Sequence, residues 1–392
     1  GGLLSPIKFI DRDSVEYSLM AAADGKKNEE KMAKLTLDKA MALIDPIWGG
    51  VYQYSTLSKW NAPHCRKTMA TQAGHLRLYS LAYAHMKSND YLNVTSSIQA
   101  YIKNFMTSEN GAFYTSQSGN IGGMSPIKYF SLKKTQREKI GFPEIDKRVL
   151  TRENGWIIEA LATHAEYCSD KKSLSMAINA ADWINKKYRT ADGGYLTNMA
   201  TDKPLHLSDT LAMARAMLQL YRNTFEEKYL KYSCESLEFI NQNFRHNFYG
   251  FYNKITYEND NLQPRQIDEN ISLTRFANLL TFYSDKKRFN NISKHGLRYL
   301  SIPEIATARI EEAGVLIIDR EMQTPPLTIN INGGINNRLV IEFINIAHKQ
   351  EGWYKLIRLN ESENVSASIE IDGFKSKSVV TPKALGELLL TH

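Results

Sequence analysis

The sequence predicts a mainly α protein: a closed (α/α)6-type six-hairpin toroid with a small C-terminal α/β lobe. Two observations carry this reading. Helical periodicity dominates from the start of the chain to about residue 320 and then gives way to strand-like texture. Within the helical part, two kinds of connection alternate and repeat, which is the signature of one supersecondary unit used several times.

In chain order, helices are predicted over 12–23, 29–44, 66–87, 91–106, 152–168, 171–187, 207–223, 226–244, 269–283, 286–299 and 303–319. In the segment 207–223, Leu207, Leu211, Met213, Ala214, Met217, Leu218 and Tyr221 form one apolar stripe at i, i+3, i+4 and i+7. Start signals are Ser208 or Asp209 before that run, and Thr151 with Asn154 ahead of "GWIIEALA". "NGWIIEALATHA" is apolar almost all round, as a helix inside a ring must be, whereas "SLSMAINAADWINKKY" keeps a polar face, as an outer one must.

The short connections "AHMKSNDYL", "EYCSDKKSL", "LYRNTFEEKYL" and "FYSDKKRF" each run from an aromatic end through a few polar residues into a new helix. Such turns make antiparallel αα-hairpins. The longer connections each place Gly before aromatics: "WGGVYQYS" at 48–55, "NGAFYTS" at 110–116, "DGGYLTN" at 192–198 and "FYGFYNK" at 248–254. Hairpins joined this way can close into a ring whose glycine-bearing loops all surround one central funnel. The segment 115–150, rich in Gly, Ser, Lys and Pro, interrupts the repeat with weak periodicity.

Beyond residue 320, "PPLTININGG", "GWYKLIRL" and "SASIEIDG" read as strands and "NNRLVIEFINIAHKQ" as a helix. "TPKALGELLLTH" closes the chain with Thr381 as N-cap and Pro382 at the first helical position. The predicted domains are therefore the toroid over 1–322 and the α/β lobe over 323–392.

Composition excludes several classes. The 49 basic and 42 acidic side chains are scattered, and no Lys/Arg run has the density of a phosphate-tracking patch, so no nucleic acid is expected. No apolar run approaches the ~20 residues of a membrane span, and no secretory signal is present. The expectation is a soluble chain, cytoplasmic or periplasmic, with the compartment undetermined. Cys65, Cys168 and Cys234 lie far apart with no metal-ligand spacing, and "INGGINN" is too short a glycine signal for a nucleotide. No metal and no cofactor are expected. The chain starts on Gly and reads as the middle of something longer.

Candidate chemistry centres on the stretch Lys59–Gly74, where Trp60, His64 and Lys67 share a loop-to-helix junction. An indole can stack on a pyranose face, an imidazole can move a proton near neutral pH, and an ammonium can bind a hydroxyl or an anion. An epimerase would need a second base opposite His64, and His206 before another inner helix has the best position. His75 and His164 fall inside apolar stripes and read as core or rim residues. A hydrolase would instead need two carboxylates, for which Asp45, Asp192, Asp209, Asp268 and Glu269 lie at loop ends or helix starts. Tyr52, Tyr54, Phe113, Tyr195 and Phe251 in the glycine loops are either stacking platforms or inter-hairpin packing.

These motifs resemble a known family. "GGLLSPIKF", "WGGVYQYS" followed by "WNAPHCRKTMATQA", "DKRVLTRENGW" and the tail "ASIEIDGFKSKSVVTPKALGELL" are similar to the region after the thioredoxin-like domain in thioredoxin-domain-containing proteins of the spermatogenesis-associated protein 20 / YyaL type. That region is in turn similar to N-acylglucosamine 2-epimerases and six-hairpin glycosidases. "TRENGW" also matches the Arg-x-Asn-Gly-Trp run of six-hairpin unsaturated glucuronyl hydrolases. The resemblance implies a carbohydrate-directed domain with a small-molecule sugar in the funnel. The site expected from residues and motifs together comprises His64, His206 and Asp209 as catalytic groups. Trp60, Lys67, Tyr54, Tyr52, Arg66, Gln72, Glu153 and Asp268 are its substrate-binding groups. Arg66, Thr71 and Glu153 stand where the family has Glu, Asp and Trp, which leaves turnover an open question. The alternative implied by the resemblance is a non-catalytic module that binds a ligand or protein and partners a thioredoxin-like domain upstream of residue 1.

Overall fold

The computed structural model describes residues 1–203, 206–255, 264–284, 286–309, 312–352 and 354–390. The first hairpin pairs α1 (Arg12–Ala23) with α2 (Lys27–Ala40). Three two-residue strands follow, β1 (Tyr54–Ser55), β2 (Pro63–His64) and β3 (Lys67–Thr68), before the second hairpin, α3 (Met69–Met86) with α4 (Asn89–Tyr101). The segment of weak periodicity contains β4 (Ser116–Gln117), α5 (Pro126–Phe130), α6 (Lys134–Ile140) and β5 (Ile145–Asp146). Three further hairpins are α7 (Thr151–Cys168) with α8 (Lys171–Tyr188), α9 (Leu207–Thr224) with α10 (Glu227–Asn243), and α11 (Ile267–Ser284) with α12 (Arg288–Leu300). The short α13 (Pro303–Ala306) leads to α14 (Gly314–Gln323).

The ring closes. α1 packs on α3, α3 on α7, α7 on α9, α9 on α11, α11 on α14, and α14 returns to α1. Among the described residues these six helices form the inner wall, with α2, α4, α8, α10 and α12 outside. Burial follows from position: α7 is buried on nearly every face, while α8 buries one stripe carrying Ala177, Ala180, Ala181 and Ile184. Inner helices α3, α7 and α9 all end on a left-handed residue, Lys87, Ser169 and Phe225, with φ of 52°, 58° and 57°. That shared cap turns each chain sharply into its outer partner and explains the repeated polar turns.

The four glycine loops share one device. Each follows an outer helix, closes with an antiparallel bridge (Ile44–Val51, Thr107–Phe113, Arg189–Tyr195, Arg245–Phe251), and is clamped by a polar side chain of the next inner helix. Gln72 accepts from the Val51 N–H at 2.7 Å and donates to its carbonyl at 2.8 Å. Asn154 does the same to Phe113 (2.8 and 3.0 Å), and Asn270 to Phe251 (2.8 and 3.0 Å). Thr210 accepts from Tyr195 N–H at 3.1 Å. Gly50 sits at φ 73° against Tyr101, where a Cβ would lie 2.5 Å from the ring, so only glycine fits. Because every such loop joins an outer helix to the start of an inner one, all four lie at one end of the ring.

The insertion is pinned from inside. Arg137 of α6 is fully buried and donates to both Asp45 carboxylate oxygens at 2.9 Å, and Lys67 reaches the same carboxylate at 2.8 Å.

The lobe contains β6 (Leu327–Asn332), α15 (Arg338–Lys349), β7 (Lys355–Asn360), β8 (Ser366–Ile371), β9 (Phe374–Lys375) and α16 (Pro382–Leu390). Its sheet runs β7-β6-β8-β9, with β6 parallel to β7 and antiparallel to β8. Ile329, Ile331, Phe343, Ile357, Ile369 and Leu385 make its core. It docks on the ring end opposite the loops. The His348 Nε2–H donates to Arg222 O at 3.1 Å, Tyr283 OH donates to Lys355 O at 3.1 Å, and the Lys355 ammonium lies 3.3 Å from Glu166.

Differences from the sequence-based elements are local. The helix expected over 303–319 is broken into α13 and α14, with residues 310 and 311 outside the described ones. The helix expected over 29–44 tightens to a 3-10 turn at Met41–Leu43, and that over 91–106 widens to a π turn at Ile102–Met106. Helices α5 and α6 were hidden by their shortness. Asp209 lies within the first turn of α9 rather than capping it, and Asn154 clamps a loop. Trp353, in the strand read from "GWYKLIRL", and residues 391–392 of the terminal helix lie outside the described residues.

Candidate active site

At the loop end, the inner helices enclose a cavity of about 680 Å³. Its wall follows a register set by the clamps. Counting from Gln72, Asn154, Thr210 and Asn270, the residue one earlier is Thr71, Glu153, Asp209 or Glu269, and the residue five later is Arg77, Glu159, Arg215 or Arg275. The earlier residue belongs to the mouth, and the later one, about a turn and a half deeper, to the floor.

The floor is a set of permanent ions. Glu16 of α1 is bridged by Arg77 and by Arg275 (2.5 Å), Arg275 also holds Glu321 of α14 (2.7 Å), and Arg215 pairs with Glu159 (2.7 Å). Burial alone would raise the pKa of Glu16 and Glu159, but the facing arginines outweigh it and hold both below the usual carboxylate range. Such carboxylates have no proton to give at neutral pH.

The mouth differs. Glu153 is bridged by Arg152 at 2.8 Å, and Asp209 accepts from Arg152 N–H at 3.2 Å and from the Thr197 hydroxyl at 2.6 Å. Glu269 has no such donors: among the described residues, its buried Oε2 is without a partner, as is the neighbouring Arg152 Nε. Burial, with Asp268 and Asp209 nearby, outweighs the Arg152 charge and raises the Glu269 pKa to about 7. A carboxyl titrating near neutrality at a cavity wall suits general acid–base work. The Arg152 guanidinium lies 4.9 Å over the Trp156 ring, and Trp156 and His206 line the same cavity.

The structure separates the sequence-predicted residues. His206, Asp268 and Glu269 line the funnel, and Asp209 and Glu153 flank it through Arg152. Asp268 is exposed at the rim and paired with Arg309. His64 and Arg66 instead line a second cavity of about 880 Å³, between the β1–β2 hairpin and the insertion. His64 is stacked on Tyr54 (centroids 4.7 Å apart, 8° between planes), which occupies the Tyr54 face expected to meet a sugar. Arg66 donates to Ser116 Oγ at 3.2 Å. The expected His64–His206 pair is therefore not formed, because the two imidazoles open into different cavities.

Other expected ligands are structural. Lys67 is fully buried, donates to Asp45 and to Gly49 O (2.6 Å), and cannot meet a ligand. Gln72 is spent on its clamp. Tyr52 is buried, edge-on to Phe130 at 5.2 Å. Trp60 donates to Gly1 O at 3.2 Å and packs on Gly2, pinning the N-terminal segment. Asp45 is sealed in its triad, and Asp192 takes the Thr190 hydroxyl in an exposed turn. Phe113, Tyr195 and Phe251 are completely buried and pack hairpins together. Sequence reasoning missed Arg152, Trp156 and the floor residues; aligning the four repeats on the clamp would have exposed Arg77, Glu159, Arg215 and Arg275 as equivalent inward positions. Among the described residues no three His, Cys, Asp or Glu side chains gather as a metal site. No helix there is long and apolar enough to cross a membrane.

Solved structures share this architecture. Cellobiose 2-epimerase from Bacillus thermoamylovorans B4167 superimposes with a TM-score of 0.57 at 11% identity, covering 74% of each chain. A D-mannose isomerase gives 0.53 at 14% identity over 71% of this chain and 70% of its own. A glycoside hydrolase family 76 mannosidase from Bacteroides thetaiotaomicron VPI-5482 gives 0.50 at 12% identity over 67% and 68%. At these identities the likeness speaks for the fold alone. Curated proteins compared by sequence give no match. Together with the family assignment that follows, the ring and its funnel define the class: a carbohydrate-active, six-hairpin glycosidase-like domain. The chain belongs to the beta-L-arabinofuranosidase GH127 catalytic-domain family, whose profile matches residues 55–293. That range carries Arg152, Trp156, His206 and Glu269 but neither α1 nor the lobe. Of the resemblance read from the motifs, the six-hairpin and epimerase-like part is what these matches bear out.

Proposed function

We propose that the chain is a glycoside hydrolase that holds a terminal sugar in the funnel and cleaves its glycosidic bond with Glu269 as proton donor. One observation carries the reading: Glu269 is the mouth carboxyl left without a hydrogen-bond partner among the described residues, and its pKa is raised to about 7. A protonated Glu269 gives its proton to the departing oxygen as the glycosidic C–O bond breaks. Water adds to the anomeric carbon, and the proton that water loses restores the Glu269 carboxyl through solvent. The Arg152 Nε–H and His206 hold ring hydroxyls and Trp156 offers an apolar face. The family name makes pentofuranosides, L-arabinofuranosides above all, the first substrates to try. Of the departures from the resembling family, Arg66 lies outside the funnel, whereas Thr71 and Glu153 stand at the step before a clamp. An epimerase would need a second base facing His206, and among the described residues the funnel holds no second imidazole.

The test is a panel of p-nitrophenyl glycosides, led by α- and β-L-arabinofuranosides, run with the wild type and Glu269→Gln. Release of nitrophenol that falls at least a hundredfold in the variant, with sugar binding by calorimetry retained, is the expected result. Hydrolysis that survives Glu269→Gln overturns the assignment of the acid. Epimer formation from free cellobiose or mannose, seen by NMR without hydrolysis, overturns the reaction class. The finer motif resemblance adds the proposal that a thioredoxin-like domain serves this one; co-purification with such a domain would test it separately.

A further inference from the structure

Beneath the funnel floor lies a smaller cavity of about 70 Å³. Arg77, Glu159, Arg215 and Arg275 form its roof and are shared with the funnel, while Arg222, Gln219, Tyr167 and Tyr354 line it lower down. Guanidiniums gathered around a small interior space are costly unless each is neutralised and each N–H is used.

The roof charges are paired: Glu16, Glu159 and Glu321 face Arg77, Arg215 and Arg275. Lower down, Arg222 and Lys355 share Glu166. The N–H groups do not balance. Arg222 is 5% exposed and donates one Nη2–H to Glu166 at 3.1 Å, yet among the described residues its buried Nε–H has no partner. Glu166 meets Arg222 through Nη2 alone, and its other oxygen takes Gln219 Nε2–H at 2.6 Å.

We propose that this cavity is a binding site for one small monovalent anion, of the size and charge of chloride, held by the Arg222 Nε–H and the surrounding guanidiniums. The volume fits: 70 Å³ exceeds the ~10–15 Å³ that a single water requires and is too small for a sugar ring. An anion there accepts from the orphaned donor and sits among the guanidiniums that line the cavity. It also bridges the floor arginines of the funnel to Arg222, the residue on which His348 of the lobe docks. This site does not depend on the glycosidase reading, since its ligand is inorganic and its readout is structural.

The experiment uses the whole chain with halide as the probe. Crystals grown without chloride and soaked in sodium bromide are expected to show one anomalous peak within hydrogen-bonding distance of Arg222 Nε. In solution, replacing sodium gluconate by sodium chloride at constant ionic strength is expected to raise Tm saturably by a few degrees. Arg222→Lys keeps a cation opposite Glu166 but lacks the Nε–H, so both signals should vanish in it. Water alone in the cavity of the bromide-soaked wild type, with a Tm indifferent to halide, overturns the proposal. So does an undiminished halide response in a folded Arg222→Lys.

Discussion

Replacing Asn154 by alanine tests the claim that the glycine loops are registered by inner-helix clamps. The side-chain amide makes three bonds: it accepts from Phe113 N–H (2.8 Å) and donates to Phe113 O (3.0 Å) and Leu150 O (2.9 Å). Phe113 is completely buried, so no water replaces the lost amide. Its N–H and carbonyl are both left unsatisfied, at about 1–3 kcal/mol each, giving a cost of roughly 2–6 kcal/mol. Asn270→Ala removes the same pair of bonds from Phe251 and should cost the same. Thr210→Val removes a single acceptor from Tyr195 N–H and should cost about 1–3 kcal/mol. Equilibrium urea unfolding followed by both tryptophan fluorescence and circular dichroism gives the differences, provided the two probes coincide. Native-state hydrogen exchange supplies the local readout, since the Phe113 amide should lose protection selectively in Asn154→Ala. An Asn154→Ala cost below about 1 kcal/mol, or one smaller than that of Thr210→Val, refutes the clamp as the element that sets the register.

Three other outcomes follow from the charged groups. Glu269 has a folded pKa of about 7 against 4.5 unfolded, so its contribution is fully favourable below pH 4.5 and lost as pH rises through 7. Glu269→Gln should therefore gain stability over wild type above pH 7, by up to the order of 3 kcal/mol, while losing hydrolysis; chemical unfolding at pH 5 and pH 8 measures it. Lys67→Met leaves Gly49 O without its donor and Asp45 with only Arg137 as a cation, and should destabilise by about 3 kcal/mol without changing KM, which a substrate-binding lysine would alter. Burial raises the Glu166 pKa, but Arg222 and Lys355 outweigh it and bring it down to about 2, so the lobe contact is intact above pH 4.5 and lost as pH falls toward 2. Limited proteolysis across that range should release the lobe first, whereas Glu166→Gln should leave it loose already at pH 7.

The fold was legible because its cause is periodic. The apolar stripe of 207–223 predicts a helix that the structure bounds at Leu207–Thr224, and Lys171–Tyr188 differs from expectation by a single residue. Periodicity also told inner helices from outer ones, since a helix apolar all round has to be covered on all sides. Helices α5 and α6 were invisible for the opposite reason: five and seven residues are too few to establish a period, and Arg137, their main anchor, is polar. The site was legible only in part. Trp60, His64 and Lys67 are close in sequence, but His64 lies in β2, paired with β1, and Lys67 in β3, paired with β4 in a different sheet. His64 consequently faces the second cavity, and Lys67 points into the Asp45 triad. Their proximity in the chain carried no information about a shared face.

The repeat also explains why one mouth carboxyl is left without a donor among the described residues. Glu153, Asp209 and Glu269 occupy the same step before a clamp, so backbone geometry presents all three to the mouth in the same way. Their neighbours then break the equivalence. The residue before Glu153 is Arg152, which bridges it, and the loop before α9 offers Thr197, whose hydroxyl holds Asp209. Among the described residues before Glu269 none donates to it, and Asp268 is an acid that turns to Arg309 at the rim. Among the described residues Glu269 thus holds the repeated position without the donors its counterparts enjoy, and with a like charge beside it. The fold supplies the placement by repetition, and chemistry becomes possible where the repetition is left incomplete.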